Sequence, residues 1–284
     1  MIIYCVGNNW MAKRFIKEFE KKEFEYILND FDETDNNLLS KIIEKNVSHV
    51  IYFNNFLMED ELEDLKLIEK LQNNLLIPNK IALFCQKYKV HFTYIGTGDI
   101  YNYKNTDKKR IPFNEEDEPN NFNNDFNSIR CCTDRLLKLT DTLNLRFMSP
   151  ITSDLNDNNN YLKKILKSLK ISNSQNSVSV LDELIPLAIE MMVNKKIGTY
   201  NFTNPGIISQ NEILEIYKEF YDSNYSWNCL NNLMEKRYKK KNIKCHLDSS
   251  LLELNYNINP IKISIKKLLG NIKINKNKNF ISIK

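Results

Sequence analysis

The chain has 284 residues, of which 42% are hydrophobic and 11% aromatic, enough for a sizeable core and too many for a disordered protein. Its 40 basic and 36 acidic residues leave a formal net charge of +4, too small and too evenly mixed to indicate a nucleic-acid-binding surface. We find no apolar run of the roughly 18 residues that a membrane helix needs and no signal peptide. The six cysteines are scattered and have no CxxC spacing, which predicts a reduced cytoplasmic protein without a metal site.

The first half of the chain alternates strand-like and helix-like segments. Apolar runs predict strands at 2–6, 24–28, 48–53 and 90–95. Helical spacing of apolar residues predicts helices at 11–19, 38–43, 62–88 and 129–143, the last leading into an apolar segment at 145–148. Strands separated by helices are typical of an α/β, Rossmann-type doubly wound parallel sheet with helices on both faces.

The second half has shorter elements. It predicts helices at 161–169, 184–193 and 211–220, and strand-like segments at 177–181 and 199–202. The asparagine-rich stretches 120–127, 156–160 and 271–279 are predicted to be loops or tail, because asparagine favours turns. The lysine-rich run 236–241 is expected to be a solvated helix face.

The turn after the first strand, residues 7–12, reads GNNWMA. A dinucleotide-binding turn has the signature G-x-G-x-x-G, of which this chain keeps the first glycine and has Ala12 at the third. The N-terminus of the following helix could still bind phosphate, and an acid in the next loop would meet the ribose. The alternative is an ordinary strand-to-helix turn. The candidate cofactor-binding residues are Gly7, Asn9, Trp10, Met11 and Asp30.

Four segments carry a more specific pattern. They read LFCQKYKVHFTYIGTGDIY at 83–101, PITSDL at 150–155, VLDELIP at 180–186 and TYNFTNPGIISQNEIL at 199–214. In this order they resemble the bifunctional UDP-4-keto-6-deoxyglucose 3,5-epimerase/4-reductase, the UDP-L-rhamnose synthase of plants and giant viruses. That family belongs to the extended short-chain dehydrogenases/reductases, near dTDP-4-dehydrorhamnose reductase. Together with the asparagine excess, the resemblance suggests a giant-virus source and the host cytoplasm.

The resemblance implies that the chain is organised into two domains. Residues 1–150 would form the NAD(P)-binding Rossmann-like domain. Residues 151–284 would form mainly the smaller C-terminal substrate domain for a nucleotide sugar, with 177–205 returning to the Rossmann domain. The implied cofactor is NADPH or NADH, where binding is retained, and the implied ligand is a UDP-sugar.

The reductase step of the resembled family uses a threonine and the tyrosine and lysine of a YxxxK motif. The tyrosine hydroxyl donates a proton as hydride reaches carbon 4 of the sugar, and the lysine lowers that tyrosine's pKa and holds the cofactor ribose. Thr97 matches the threonine, but the motif positions are Phe126 and Arg130. Phenylalanine has no proton to donate, whereas Arg130 keeps a cation and is therefore also a candidate cofactor-binding residue. Tyr101 and Tyr103 are the alternative hydroxyl donors.

The epimerase step of the family uses a cysteine and a lysine to move protons beside the ketone. Asp99 stands at the cysteine position and Lys164 at the lysine position. An Asp/Lys pair could exchange such protons; the alternative is that Asp99 bonds its own loop. The family's glycine-containing loop after the third strand is shortened here, at 54–57. Four candidate substrate-binding residues follow from the resemblance, each with structural packing as the alternative: Arg146, Asn201, Asn204 and Trp227.

Changes at the glycine loop, tyrosine, lysine and cysteine fall together on the chemistry of the family. We therefore expect a nucleotide-sugar epimerase/reductase-like protein of UDP-rhamnose-type synthesis with impaired or lost reductase activity. Two alternatives stay open: a non-catalytic regulatory or binding subunit, and an epimerase-only enzyme using Asp99 and Lys164. The expected macromolecular partner is a second copy of the chain or a regulated protein, and neither nucleic acid nor membrane is expected.

Overall fold

The computed structural model describes residues 1–29, 35–53, 66–103, 111–231, 234 and 245–281. Asp30, the loop 54–57 and the basic run 236–241 lie outside the described residues. The chain divides into two compact units. The first comprises Met1–Tyr101, Glu115–Arg146 and Ile185–Asn201, and the second comprises Asn102–Asn114, Phe147–Leu184 and Phe202–Lys284.

Eight strands occur in the described residues: β1 Ile2–Val6, β2 Glu25–Asn29, β3 His49–Phe53, β4 His91–Thr97, β5 Thr142–Phe147, β6 Gln175–Asn176, β7 Gly198–Asn201 and β8 Ile208–Ser209. Six of them form one sheet in the order β2-β1-β3-β4-β5-β7, with parallel pairing of β1 to β2, β1 to β3, β3 to β4 and β5 to β7. The predicted α/β Rossmann-type fold is thereby confirmed. The chain reverses its direction across the sheet between β1 and β3, which is where open α/β sheets bind ligands.

Helices connect these strands. Those of the first unit are Trp10–Lys21, Asp35–Glu44, Leu67–Leu71, Ile77–Tyr88 and Asp125–Leu137, with a π-helical segment at Gln72–Leu76, and also Leu181–Val193, most of which belongs to this unit. Those of the second unit are Tyr161–Lys167, Gln210–Phe220, Ser250–Asn255 and Ile261–Ile281. None of the helices among the described residues has the length and apolar character needed to cross a membrane.

Three sequence-based boundaries were wrong. The helix predicted at 129–143 begins at Asp125, because the Asn124 side chain accepts a hydrogen bond from the Asn127 amide at 2.8 Å, and it ends at Leu137. The strand predicted at 177–181 contributes only an isolated bridge from Val180, and Leu181 already begins a helix. The stretch 271–279, predicted as loop or tail, continues the last helix, whose apolar anchors lie earlier, at positions such as Ile265.

Each unit has its own core. In the first unit, buried side chains from the central strands, such as Tyr52 and Phe92, pack against helix residues such as Ile81. In the second unit, the last helix packs through Ile265 and Leu269 against the helix Gln210–Phe220. Both cores are apolar and fully buried, so hydrophobic burial is the main stabilising contribution in each unit.

Candidate active site

The carboxyl end of β4 carries the first group of candidate residues. Thr97, the last strand residue, is buried, and its hydroxyl accepts a hydrogen bond from the Asp99 amide at 3.2 Å. The Asp99 backbone carbonyl accepts a hydrogen bond from the side-chain nitrogen of buried Asn121 at 2.6 Å. The backbone around Asp99 is therefore held in place, while its carboxylate side chain remains 39% exposed.

Phe126 and Arg130 occupy neighbouring positions one turn apart on the helix Asp125–Leu137. The centre of the Arg130 guanidinium lies 3.9 Å from the centroid of the Phe126 ring, a cation–π arrangement. One guanidinium nitrogen also lies 3.9 Å from a carboxylate oxygen of Asp99. Burial lowers the pKa of Arg130 from its usual value, and the neighbouring Asp99 charge opposes this effect. The two substituted motif residues thus form one packed unit with Asp99, with no hydroxyl among their side chains.

Tyr101 and Tyr103, the alternative proton donors, both have their hydroxyl groups bonded to backbone. Tyr101 is fully buried and donates to the Asp117 carbonyl at 2.8 Å. Tyr103 donates to the Ile111 carbonyl at 2.7 Å within the second unit. These contacts give each tyrosine a structural use and disfavour both as replacements for the missing tyrosine.

The turn between β1 and the first helix holds the candidate cofactor residues. Gly7 has a φ of +96°, which glycine adopts readily, and its amide donates to the Asn29 carbonyl at 2.8 Å. Asn9 caps the helix: its side-chain oxygen accepts from the Ala12 amide at 3.0 Å. Its side-chain nitrogen donates to the Phe53 carbonyl, at the end of β3, at 3.4 Å.

A pyrophosphate in this fold lies against the free amides of that helix N-terminus. Here the Asn9 side chain stands at the second glycine position of the signature and takes the Ala12 amide itself. Met11 is fully buried and contributes to the core, while the Trp10 indole nitrogen is buried with no hydrogen-bond partner among the described residues. The Asn9 side chain therefore already bonds one of the amides that a dinucleotide pyrophosphate would face.

Arg146, a candidate substrate ligand, is fully buried in the first unit. Its guanidinium donates to both carboxylate oxygens of Asp134, at 2.9 and 2.6 Å, and lies 3.4 Å from the Glu115 carbonyl. A further contact, also at 3.4 Å, reaches the side-chain oxygen of buried Asn201. Burial alone would lower the pKa of Arg146, but the charge of Asp134, its hydrogen bonds and the groups of Tyr101 and Glu115 together raise that pKa. These contacts support the structural alternative for Arg146 and Asn201.

Asn204 of the second unit is also fully buried. Its side-chain oxygen accepts from the Val180 amide at 2.8 Å, and its nitrogen donates to the Glu183 carboxylate at 3.0 Å. The same carboxylate accepts from the Asn259 amide at 2.9 Å and from the Ser264 hydroxyl. Asn204 therefore fixes the turn before Pro205-Gly206 to two helices, which again supports the structural alternative.

Trp227, a candidate substrate-binding residue, and Lys164, a candidate catalytic residue, are both partly accessible in the second unit. The Trp227 indole nitrogen donates to the Asn211 side chain at 2.8 Å, and its ring stacks on Tyr225 with centroids 6.0 Å apart. Trp227 thus presents a fixed, half-buried aromatic surface. Lys164 lies on the helix Tyr161–Lys167, and its pairing with Asp99 stays a prediction.

Several residues of this site carry no motif in the sequence. Asn121 is fully buried, and its side-chain oxygen has no hydrogen-bond partner among the described residues. Asp134 and Glu115 hold the Arg146 guanidinium and the Asn201 amide. Only the spacing of Asp134, one turn after Arg130 on the same helix, could have pointed to it. No cluster of His, Cys, Asp and Glu suited to a metal ion occurs in the described part of the chain.

The chain is similar to proteins of nucleotide-sugar metabolism, although no protein-family model matches it. A protein of Acanthamoeba polyphaga mimivirus is 41% identical over 167 residues, which cover 57% of this chain and 57% of that protein. A trifunctional UDP-glucose 4,6-dehydratase/UDP-4-keto-6-deoxy-D-glucose 3,5-epimerase/UDP-4-keto-L-rhamnose-reductase of Arabidopsis thaliana is 36% identical over 162 residues, 56% of this chain and 24% of that protein. The match therefore spans little more than half the length of the first of these relatives.

Solved structures extend the similarity over nearly the whole chain. The crystal structure of the UDP-rhamnose synthase from the same mimivirus has a TM-score of 0.82 and 29% identity, covering 94% of this chain and 98% of that one. A dTDP-4-dehydrorhamnose reductase from Clostridium acetobutylicum has a TM-score of 0.76 at 17% identity, covering 95% and 98%. The class is thus defined: the chain has the fold of the extended short-chain dehydrogenases/reductases. Within that class it resembles the UDP-rhamnose synthases, which confirms the resemblance identified from the sequence.

Proposed function

We propose that this chain binds a UDP-linked 4-keto-6-deoxy sugar and does not carry out the reduction step of UDP-rhamnose synthases. One observation carries the proposal: the positions of the motif tyrosine and lysine hold Phe126 and Arg130, packed ring to guanidinium at 3.9 Å. A hydroxyl at the first position would have to protonate the sugar oxygen as hydride reaches carbon 4. Phenylalanine cannot, and the hydroxyls of Tyr101 and Tyr103, the alternative donors, are bonded to backbone carbonyls.

Binding of the nucleotide sugar is supported by similarity to a UDP-rhamnose synthase over nearly the whole chain. Trp227 is the side chain we place against the nucleotide, because its half-buried ring is held by Asn211 and Tyr225 and offers a flat apolar surface. If cofactor binding is retained, the cofactor is NADPH or NADH, since proteins of this fold include a dTDP-4-dehydrorhamnose reductase in complex with NADP and an enzyme in complex with NAD and UDP.

An epimerase-only activity is the second candidate, and the exposure of Asp99 favours it. The carboxylate would take a proton from a carbon beside the ketone, leaving the electron pair in an enolate. A guanidinium nitrogen of Arg130 lies 3.9 Å from that carboxylate. Lys164 would return a proton to the opposite side of the same carbon, which inverts it and balances the step.

A non-catalytic subunit is the third candidate, with a second copy of the chain or a regulated protein as partner. Two packed helices of the first unit, Ile77–Tyr88 and Asp125–Leu137, and the segments beside them carry exposed apolar side chains. These are Leu67, Ile68, Leu76, Leu83, Leu136 and Leu139, each at least 45% exposed. Exposed apolar side chains concentrated on one part of a chain favour a protein–protein contact. Leu83→Glu should lower the mass measured by light scattering, and Leu254→Glu, at an even more exposed position of the second unit, should not.

One reaction in deuterated water separates the first two candidates. The protein is mixed with UDP-4-keto-6-deoxyglucose and NADPH and followed by NMR. We expect line broadening of the bound sugar and no UDP-rhamnose. Appearance of UDP-rhamnose would refute loss of reduction, and failure of the sugar to bind would refute the proposal as a whole.

Deuterium entering carbon 3 or carbon 5 would establish the epimerase. In that case Asp99→Asn and Lys164→Ala should abolish exchange. Lys163→Ala is the matched control, because the neighbouring Lys163 ammonium contacts the Asn156 carbonyl at 2.5 Å and has no role in the proposed step. The expected giant-virus source stays a prediction, supported by the 41% identity to the mimivirus protein.

A further inference from the structure

The sheet of the first unit leaves one crevice for a ligand by its topology. The chain runs from β1 to β2 on one side and then to β3 on the other, so the strand order reverses between β1 and β3. Helices that follow such strands leave in opposite directions and open a crevice at the carboxyl ends. In this chain that position lies between the turn 7–9 and the end of β3 at Phe53.

The Asn9 side chain spans this position. Its oxygen accepts from the Ala12 amide at 3.0 Å and its nitrogen donates to the Phe53 carbonyl at 3.4 Å. One end therefore closes the helix N-terminus and the other reaches the last residue of β3. A phosphate oxygen at this point would compete with the Asn9 side chain for the Ala12 amide.

The backbone of Asn9 suits this use. Its φ of −93° and ψ of −179° are ordinary extended values for the residue that caps a helix, and asparagine is among the best capping residues. Glycine at this position would free the amide and remove the side chain from the crevice. The replacement should weaken the cap only slightly, since glycine is itself tolerated at this position.

We propose that Asn9 is a built-in occupant of the phosphate cradle, which makes this chain a weak binder of nicotinamide dinucleotides. Dinucleotide-binding proteins leave this turn free for the phosphates, whereas here the Asn9 side chain fills it. The inference goes beyond the proposed function, because it concerns the cofactor and is independent of whether a UDP-sugar binds. It also makes the loss of reduction a property of two separate sites, the turn at Asn9 and the stack at Phe126.

The test is a calorimetric titration of the full-length protein with NADPH and, separately, with NADH. We expect Asn9→Gly to bind at least one of them at least 10-fold more tightly than the unchanged chain. Asn9→Asp, which keeps the cap and adds a negative charge, should bind neither. Asn8→Gly is the matched control, because Asn8 is the exposed neighbour in the same turn and its replacement should leave affinity unchanged.

Three outcomes would overturn the proposal. Equal or weaker binding by Asn9→Gly would show that the side chain holds the cofactor or is irrelevant to it. Absence of binding by both the unchanged chain and Asn9→Gly would place the obstruction elsewhere. An equal gain in Asn8→Gly would show that turn flexibility, and not the Asn9 side chain, limits binding. Thermal melts of all variants confirm folding, and a separate titration with the UDP-sugar keeps this result distinct from the test of the proposed function.

Discussion

Replacing Arg146 tests whether this residue holds the fold or binds the ligand. Arg146→Met keeps most of the side-chain length and removes every hydrogen-bond donor. It leaves the Asp134 carboxylate buried, with its two guanidinium contacts at 2.9 and 2.6 Å gone and the Asn144 amide remaining at 2.7 Å. Breaking a buried ion pair on one side costs about 3–5 kcal/mol. Since domains are stable by only about 5–15 kcal/mol, the variant should lose a large share of its stability.

The assay is urea unfolding followed by circular dichroism, with the midpoint and slope compared between variants. Arg135→Met is the matched control, because Arg135 pairs with Glu118 at 2.8 Å on the surface and should lose at most about 1 kcal/mol. Adding Asp134→Leu to Arg146→Met should recover part of the loss, because the uncompensated charge is then removed as well.

Two results would refute this reasoning. A loss of stability in Arg146→Met no larger than in Arg135→Met would mean that the buried pair contributes little. Loss of UDP-sugar binding at unchanged stability would mean that Arg146 serves the ligand, as the resemblance implied.

Three further predictions concern other parts of the chain. Phe126→Tyr with Arg130→Lys restores the hydroxyl and the ammonium of the motif. This double variant should yield UDP-rhamnose in the NMR assay only when combined with Asn9→Gly. Product formed without Asn9→Gly would contradict the proposal that the Asn9 side chain obstructs cofactor binding. Burial lowers the pKa of His49 from 6.5 to about 4. As pH drops from about 6.5 to about 4, the unfolded chain therefore takes up the proton before the folded protein does, and stability should fall. His49→Gln should make the unfolding free energy, measured in urea, depend less on pH, and an unchanged dependence would contradict this prediction. Glu183→Ala removes a carboxylate that accepts several hydrogen bonds and should cost about 3 kcal/mol in unfolding free energy. Glu183→Gln keeps one acceptor oxygen and should lose less; an unchanged unfolding free energy in Glu183→Ala would contradict the role of these hydrogen bonds.

Local patterns were sufficient for the fold class. The apolar runs at β1, β3 and β4 and the helical spacing between them predicted a parallel sheet, because a strand buried on both faces leaves a continuous hydrophobic signature. The resemblance likewise rested on short segments whose order the chain keeps. Boundaries were less predictable: the last helix extends through an asparagine-rich stretch because tertiary packing at Ile265 and Leu269 anchors it, against local propensity.

The identity of the substituted motif residues was also readable from the sequence, since Phe126 and Arg130 fall at a fixed spacing and phenylalanine lacks a hydroxyl wherever it lies. Their joint packing with Asp99 was not readable, because it depends on the approach of a helix to the end of β4.

Only the tertiary structure decided what the polar side chains do. The sequence around Arg146 and Asn204 does not show whether these side chains bind a ligand or are buried. In the fold both are buried, bonded to Asp134 and Glu183 respectively. Asn9 is the clearest example. In the sequence it is only a residue that favours turns, but in the structure its side chain bonds both a helix N-terminus and the Phe53 carbonyl of β3, 44 residues further on. Hydrogen bonds of this kind depend on distances that the folded backbone sets, and no local pattern in the chain encodes them.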